Sequence, residues 1–180
     1  MSHINGLLAP IAHGRRWRVA SLFCLLFIVL GAGNAAAQSA RDGFNPNADD
    51  TVRAIAVHPD GKLLVGGDFT HIGLPARNRL ARLENSGALD TTFNPNLDGS
   101  VYALAVQTDG AVLAGGDFAH VGLVVRNRLA RLSSSGALDA TFDPAPNGGV
   151  YAIVALDNGK LLVAGAFTQI GGQARPYLAR

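Results

Sequence analysis

Cysteine is almost missing: the 180 residues hold one, Cys24, and it lies inside an apolar run near the N-terminus. A lone thiol closes no intramolecular disulfide, and no cysteine-based zinc set can be assembled from it. Tryptophan and methionine are equally scarce, one each at Trp17 and Met1, and charged residues make up only 16% of the chain. No apolar run approaches the roughly 20 residues that a membrane-spanning helix needs. The longest, VASLFCLLFIVL at residues 19–30, has 12. Nor is there a phosphate-binding loop, a dinucleotide fingerprint or a G-x-S-x-G nucleophile elbow downstream of that run.

What the N-terminus does hold is an ordered series. Arg15, Arg16 and Arg18 precede the apolar run, and GAGNAAAQSA follows it, with Ala35 and Ala37 in an A-x-A arrangement. Basic, apolar, then small is the order of a secretory signal. Cys24 follows Phe23, not a small residue, so a lipoprotein site does not fit, and Arg18 stands where a twin-arginine signal wants an apolar side chain. The expectation is a signal peptide over residues 1–37, cleaved after Ala37, and a secreted product: periplasmic, extracellular or at the cell surface. Cleavage removes three arginines and moves the formal charge from +2 to −1, leaving 12 basic against 13 acidic side chains. The mature chain then offers neither nucleic acid nor an anionic membrane a basic patch. It also has no thiol, so its stability must come from packing.

The remainder, residues 38–180, is repetitive. Phe44, Phe93 and Phe142 are spaced by 49 residues, as are Phe69, Phe118 and Phe167. Residues 44–92 and 93–141 share 32 identities over 49 positions without a gap, and residues 142–180 form a third, more divergent unit ten residues short of the period. Turn signals divide each unit. Asp60-Gly61 separates TVRAIAVH from KLLVGGDF, Gly73 and Pro75 precede RNRLARLE, and Ser86-Gly87 precedes ALDTTF. A D-G pair between apolar runs is a hairpin signal, expected here as a turn with both central residues at positive φ. Four short strands per unit at this period predict an all-β, β-propeller-like domain of about three blades, with the ring incomplete. The alternative is a β-solenoid, although its coils usually repeat over roughly 20–30 residues.

The phrases V-x-A-(I/L)-A-V-x-x-D-G, L-x-G-G-D-F, R-N-R-L-A-R-L and S-G-A-L-D-x-T-F recur along residues 41–180. In them the chain resembles the delta-60 repeat family of bacterial, mostly exported proteins. That resemblance implies a propeller and a secretory setting, and brings no agreed activity and no established catalytic residues. The third unit departs from it, reading A-G-A-F and R-P-Y-L-A-R.

Few residues offer chemistry. Asn94, Asn96, Asp98 and Gly99 match the opening of a calcium loop, but Ala105 stands where the closing bidentate carboxylate belongs. The first unit has Asp50 in place of the glycine and Ala56 at the closing position; the third, from Asp143 through Ala145 to Asn147 and Gly148, loses the middle ligand. An Asn/Asp/Pro/Gly cluster between strands reads first as a turn. His71 and His120 lie one unit apart with Gln169 as the third equivalent, and none of them has a second ligand at zinc spacing. His3, His13 and His58 have no partners in reach. Asp68 and Asp117 could be acids facing one another, but they recur with Arg79 and Arg128. Where the third unit has Ala166, the arginine has become Tyr177. Paired loss predicts ion pairs Asp68–Arg79 and Asp117–Arg128.

No catalytic, cofactor-binding or metal residue is therefore assigned, and no cofactor is called for. The reading is an exported, non-enzymatic binding or scaffold module, probed below against the alternative of a propeller lyase or hydrolase acting on an extracellular polymer. The third unit's departures at Ala166, Pro176 and Tyr177 are mostly losses of polar chemistry, which favours the first. Residues 38–45 align with the end of a unit, and Arg180 falls within an RNRLARL-type stretch. The chain is thus expected to be the N-terminal part of a longer propeller, or to close a ring by self-association.

Overall fold

The computed structural model describes residues 43–180. The signal segment, its cleavage site at Ala37, Cys24, His3 and His13 lie outside the described residues.

Every regular element described is a strand. The first unit contributes β1 (Val52–Val57), β2 (Leu63–Gly67) and β3 (Leu80–Leu83). The second contributes β4 (Val101–Val106), β5 (Val112–Gly116), a small hairpin β6 (His120–Val121) and β7 (Val124–Val125), then β8 (Leu129–Leu132). The third repeats the second with β9 (Val150–Ala155), β10 (Leu161–Gly165), the hairpin β11 (Gln169–Ile170) and β12 (Gln173–Ala174), and β13 (Leu178–Ala179). Each unit folds as its own antiparallel sheet, in the orders β1-β2-β3, β4-β5-β8 and β9-β10-β13. No strand of one unit pairs with a strand of another. A solenoid would ladder successive coils together, so the blade reading holds and the solenoid does not. The sheets lie face to face, with β1 against β4 and β4 against β9.

The turns show why the sequence breaks where it does. Gly61, Gly110 and Gly159 sit at φ of +86°, +82° and +76°, and Asp60 is not in that region. One positive φ, not two, marks a longer loop ending in a glycine bulge. Asp60 Oδ1 accepts the Lys62 amide at 2.9 Å, and the His58 and Lys62 backbones close the loop. The Ser86-Gly87 turn has the same closure, with the Glu84 amide bonding the Ala88 carbonyl at 2.8 Å.

The fourth strand is a correction. After each S-G turn pairing lasts for one bridge, Leu83 with Leu89 and Leu132 with Leu138, so each main sheet has three strands. Asp90 and Asp139 end it. Asp90 Oδ1 accepts both the amide (3.0 Å) and the hydroxyl (2.6 Å) of Thr92, and Asp139 does the same with Thr141 at 2.9 and 2.6 Å. These local side-chain bonds compete with the ladder for the backbone.

The core is mostly between sheets. Leu64 and Leu80 of the first unit pack with Val101, Leu104, Val112 and Phe118 of the second, and Ala103, Leu113 and Leu129 pack with Val150, Ile153 and Phe167 of the third. Phe69, Phe93, Phe118 and Phe167 are all essentially sealed. Buried apolar area at about 25 cal/mol per Å2 makes these seams the principal source of stability.

Candidate functional site

Each first strand carries a β-bulge. Val52 pairs with Gly67 and Ala54 with Gly66, leaving Arg53 between them without a partner. The same slip leaves Tyr102 unpaired between Val101 and Ala103, and Tyr151 between Val150 and Ala152. The cause is the second glycine of each Gly pair. A methyl on Gly67, Gly116 or Gly165 would drive into the carbonyl oxygen of Thr51, Ser100 or Gly149. That carbonyl accepts the amide of the following residue, Asp68, Asp117 or Ala166, at 2.8–2.9 Å. A bulge re-aims the side chain it extrudes. Here it places Arg53, Tyr102 and Tyr151 in one row across three sheets. The Arg53 guanidinium lies 5.5 Å from the Tyr102 ring centroid, within cation–π range. The Tyr102 and Tyr151 centroids are 5.6 Å apart at 52°, and Tyr151 remains 57% exposed.

Asp68 and Asp117 border this row, and the expected ion pairs are half right. Arg128 Nε reaches Asp117 Oδ1 at 3.3 Å, as expected. Asp68, however, is taken by Arg53, whose Nε donates at 2.8 Å and whose Nη2 also bonds it. Arg79 turns instead to the Asp68 backbone carbonyl. The reason is the bulged position: it is arginine only in the first unit, and Tyr102 cannot compete with Arg128 for Asp117. The bond from Arg53, joined by one from Ser100, holds the Asp68 carboxyl down at about 2. Arg79, Arg128 and Tyr177 all sit at positive φ, between +61° and +68°. Such values are uncommon for residues with a side chain, so it is the turn into β3, β8 and β13 that recurs, independent of charge.

The loop acids have structural work. Asp49 Oδ1 accepts the Thr70 and His71 amides at 2.8 and 2.9 Å, and its other oxygen meets the Thr70 hydroxyl and His71 Nδ1. Asp98 holds the Ala119 and His120 amides and His120 Nδ1 in the same way. In the third unit Asn147 grips the amides of Thr168 and Gln169. His71 and His120 therefore belong to a loop clamp, as does the Asp98 of the calcium-like stretch. Asn96 accepts a bond from Asn78 at 2.7 Å. Among the described residues no three His, Cys, Asp or Glu side chains converge on a point. His58 is buried, with Nε2 3.1 Å from the Gly110 carbonyl and Nδ1 2.8 Å from Asp60, which ties the first unit to the second.

Two features escaped the sequence reading. Arg77 and Arg126 are buried staples, donating to the Thr91 carbonyl at 2.8 Å and the Ala140 carbonyl at 3.4 Å; Arg126 Nη1 is also 3.0 Å from Asp143. Their signal was the first arginine of R-N-R, present in every unit. Arg82 is the second: it pairs with Asp90 at 2.9 Å, stacks 4.8 Å above Phe93, and reaches the Ser134 carbonyl of the next unit. Burial opposes the Asp90 charge, but Lys62, Thr92 and Arg82 outweigh it and hold its carboxyl well below the usual range. A cavity of about 530 Å3 opens beside Phe142, Ile170 and Arg175. One unit earlier that place beside Phe93 is filled by the turn carrying Ser134 and Gly136, so the cavity belongs to blade packing.

A protein-family model described as a domain of unknown function (DUF5122) β-propeller matches residues 58–93, 107–142 and 156–180. No curated protein and no solved structure matches the chain. The three matched stretches start 49 residues apart, in step with the units read from the sequence.

Proposed function

Since the chain belongs to the DUF5122 family of β-propellers, we propose that it is an exported, non-enzymatic binding module of delta-60-type repeats, which meets its ligand along the row Arg53–Tyr102–Tyr151. The observation that carries this reading is the contrast between scaffold and row. Three bulges, each held by a glycine, present the same position in every unit, and at that position the side chain changes from arginine to tyrosine. A constant frame carrying variable planar groups is how a repeat surface acquires a ligand preference. The carboxylates favour binding over catalysis. Asp49, Asp60, Asp68, Asp90, Asp98 and Asp139 are all shifted downward by hydrogen bonds and cations, whereas a general acid at neutral pH needs a value moved upward. Export rests on the basic, apolar and small order of residues 1–37.

One spectroscopic accident makes both halves testable. Trp17, the only tryptophan, lies in the proposed signal segment, and the three tyrosines are Tyr102, Tyr151 and Tyr177. Exported protein cut after Ala37 should show tyrosine emission and no tryptophan emission; tryptophan emission from it would refute cleavage. Neutral and acidic oligosaccharides titrated into that product should include one that changes the tyrosine signal and is recovered chemically unchanged. Tyr151→Ala should weaken its binding at least tenfold. A ligand that binds with unaltered affinity to Tyr151→Ala and Tyr102→Ala, or that is recovered cleaved, would overturn the reading.

A further inference from the structure

The groups that join one unit to the next recur at fixed places. Gly66 is the hollow that receives the second unit: a methyl there would lie 2.5 Å from Val101 Cγ1 and 3.3 Å from Leu104 Cδ1. Gly115 receives the third unit likewise, 2.5 Å from Val150 Cγ1 and 2.9 Å from Ile153 Cδ1. Polar clips flank the hollow. Asn78 Nδ2 donates to Asn96 Oδ1 across the first seam, Ser100 of the second unit bonds the Asp68 carboxylate, and Arg128 reaches the Pro146 carbonyl across the second seam at 3.3 Å.

In the third unit these forward-reaching groups are replaced together. The hollow glycine becomes Ala164, the aspartate Ala166, the asparagine Pro176 and the arginine Tyr177. Ala56 and Ala105, small members of the two seams, correspond to Val154. Groups serving the unit itself stay: Gly165 at the bulge, Phe167 in the core, the Asn147 clamp. So do the groups facing backward, Val150 and Ile153. The change is thus confined to one face, which is filled in where the others are hollow and has lost the charges the others carry.

That face does not fit the open face of the first unit. Val52, Ile55 and Val57 stand there exposed at the positions of Val101, Leu104 and Val106. They call for a glycine hollow, and Ala164 closes it. Nor is the third face a solvent cap, which should be polar, for it exposes Tyr151, Val154, Tyr177 and Leu178, each more than half accessible.

We propose that the face of the third unit built from Val154, Ala164 and Leu178, rimmed by Tyr151 and Tyr177, docks a second copy of this chain on the same face across a two-fold axis. An isologous contact brings each patch against its own copy, so any uncompensated charge meets a like charge. This patch has shed its aspartate and arginine and meets itself without that cost. Head-to-tail docking would need the complementary charges and the hollow that the third unit lacks.

Light scattering on the exported product of the full chain should give the mass of two copies. Val154→Asp should give one copy, with circular dichroism unchanged; should that variant unfold, Leu178→Lys is expected to do the same at the sheet edge. Ile55→Asp should leave two copies. The fourfold variant Ala164→Gly, Ala166→Asp, Pro176→Asn, Tyr177→Arg restores the forward face, and should replace the two-fold pair with head-to-tail assemblies that Ile55→Asp breaks. A one-copy mass for the unaltered chain, a series of larger assemblies, or dissociation by Ile55→Asp in the unaltered chain would each overturn the proposal.

Discussion

An aspartate in this protein is a fastening. Asp68 holds Arg53, Asp90 holds Arg82 and Lys62, Asp139 holds the Thr141 hydroxyl and Arg131, and Asp49 holds an amide pair. Each bond is made to the charged form, and each lowers the carboxyl pKa from its ordinary 3.8, to about 2 at Asp68 and Asp139. A carboxyl depressed in the folded state stabilises the fold fully above its unfolded pKa and loses that contribution as pH falls through the folded value. Stability should therefore be level from neutrality to about pH 5 and decline between about pH 4 and pH 2. Urea midpoints measured across that range check it, and Asp68→Asn should flatten part of the decline. A midpoint that rises on acidification would show the carboxylates to be strained, not satisfied. The recurrence of these aspartates was legible in the sequence. Their partners were not fully so, because whether Asp68 meets Arg53 or Arg79 depends on a bulge that no residue type announces.

At the scale of the element, the two glycines of G-G do different things. Gly67 serves its own blade, by letting β2 approach the Thr51 carbonyl; Gly66 serves the seam, by admitting Val101. Both Gly67→Ala and Gly66→Ala should destabilise, by about 1–3 kcal/mol as overpacked sites do. They should part on a second measurement. Gly67→Ala should abolish the bulge and with it the Arg53–Tyr102 contact, changing tyrosine emission as well as stability. Gly66→Ala should loosen the seam between the first two units and leave the first-unit bulge in place. Ala164→Gly should cost less than about 1 kcal/mol, the ordinary price of a glycine in regular structure. Equal losses of stability with identical tyrosine spectra would contradict this division. The hairpins and the three-strand sheets follow from D-G, S-G and the apolar runs, which is why the sequence predicts them. The fourth strand was over-read because ALDTTF has strand composition, and only the bonds from Asp90 and Asp139 to the following threonines show that its backbone is taken elsewhere. The aromatic row was invisible for a related reason. Positions 53, 102 and 151 look like strand interior until the bulge turns them out.

Across the whole molecule, protection should follow the seams. The second sheet is covered on both faces, by Leu64 and Leu80 on one side and by Val150 and Ile153 on the other. The first and third are each covered on one face by the second. In a repeat array, stability is close to a sum of unit terms and neighbour terms, so the middle unit gains two neighbour terms and each end unit one. Amide exchange should then be slowest in β4 and β5, faster in β1 and β9, and fastest in the loops, since opening an end unit breaks one seam and opening the middle breaks two. The two ends should also differ from each other. If the third unit's face is covered by a second copy, β9 and β13 should exchange more slowly than β1, and Val154→Asp should remove that difference without touching β1. Symmetrical protection of β1 and β9 in the unaltered chain, together with slow exchange in β4, would keep the seam argument and remove the covered face. Protection that is slowest in β1 would remove both, because Val52, Ile55 and Val57 of that strand stand in the open.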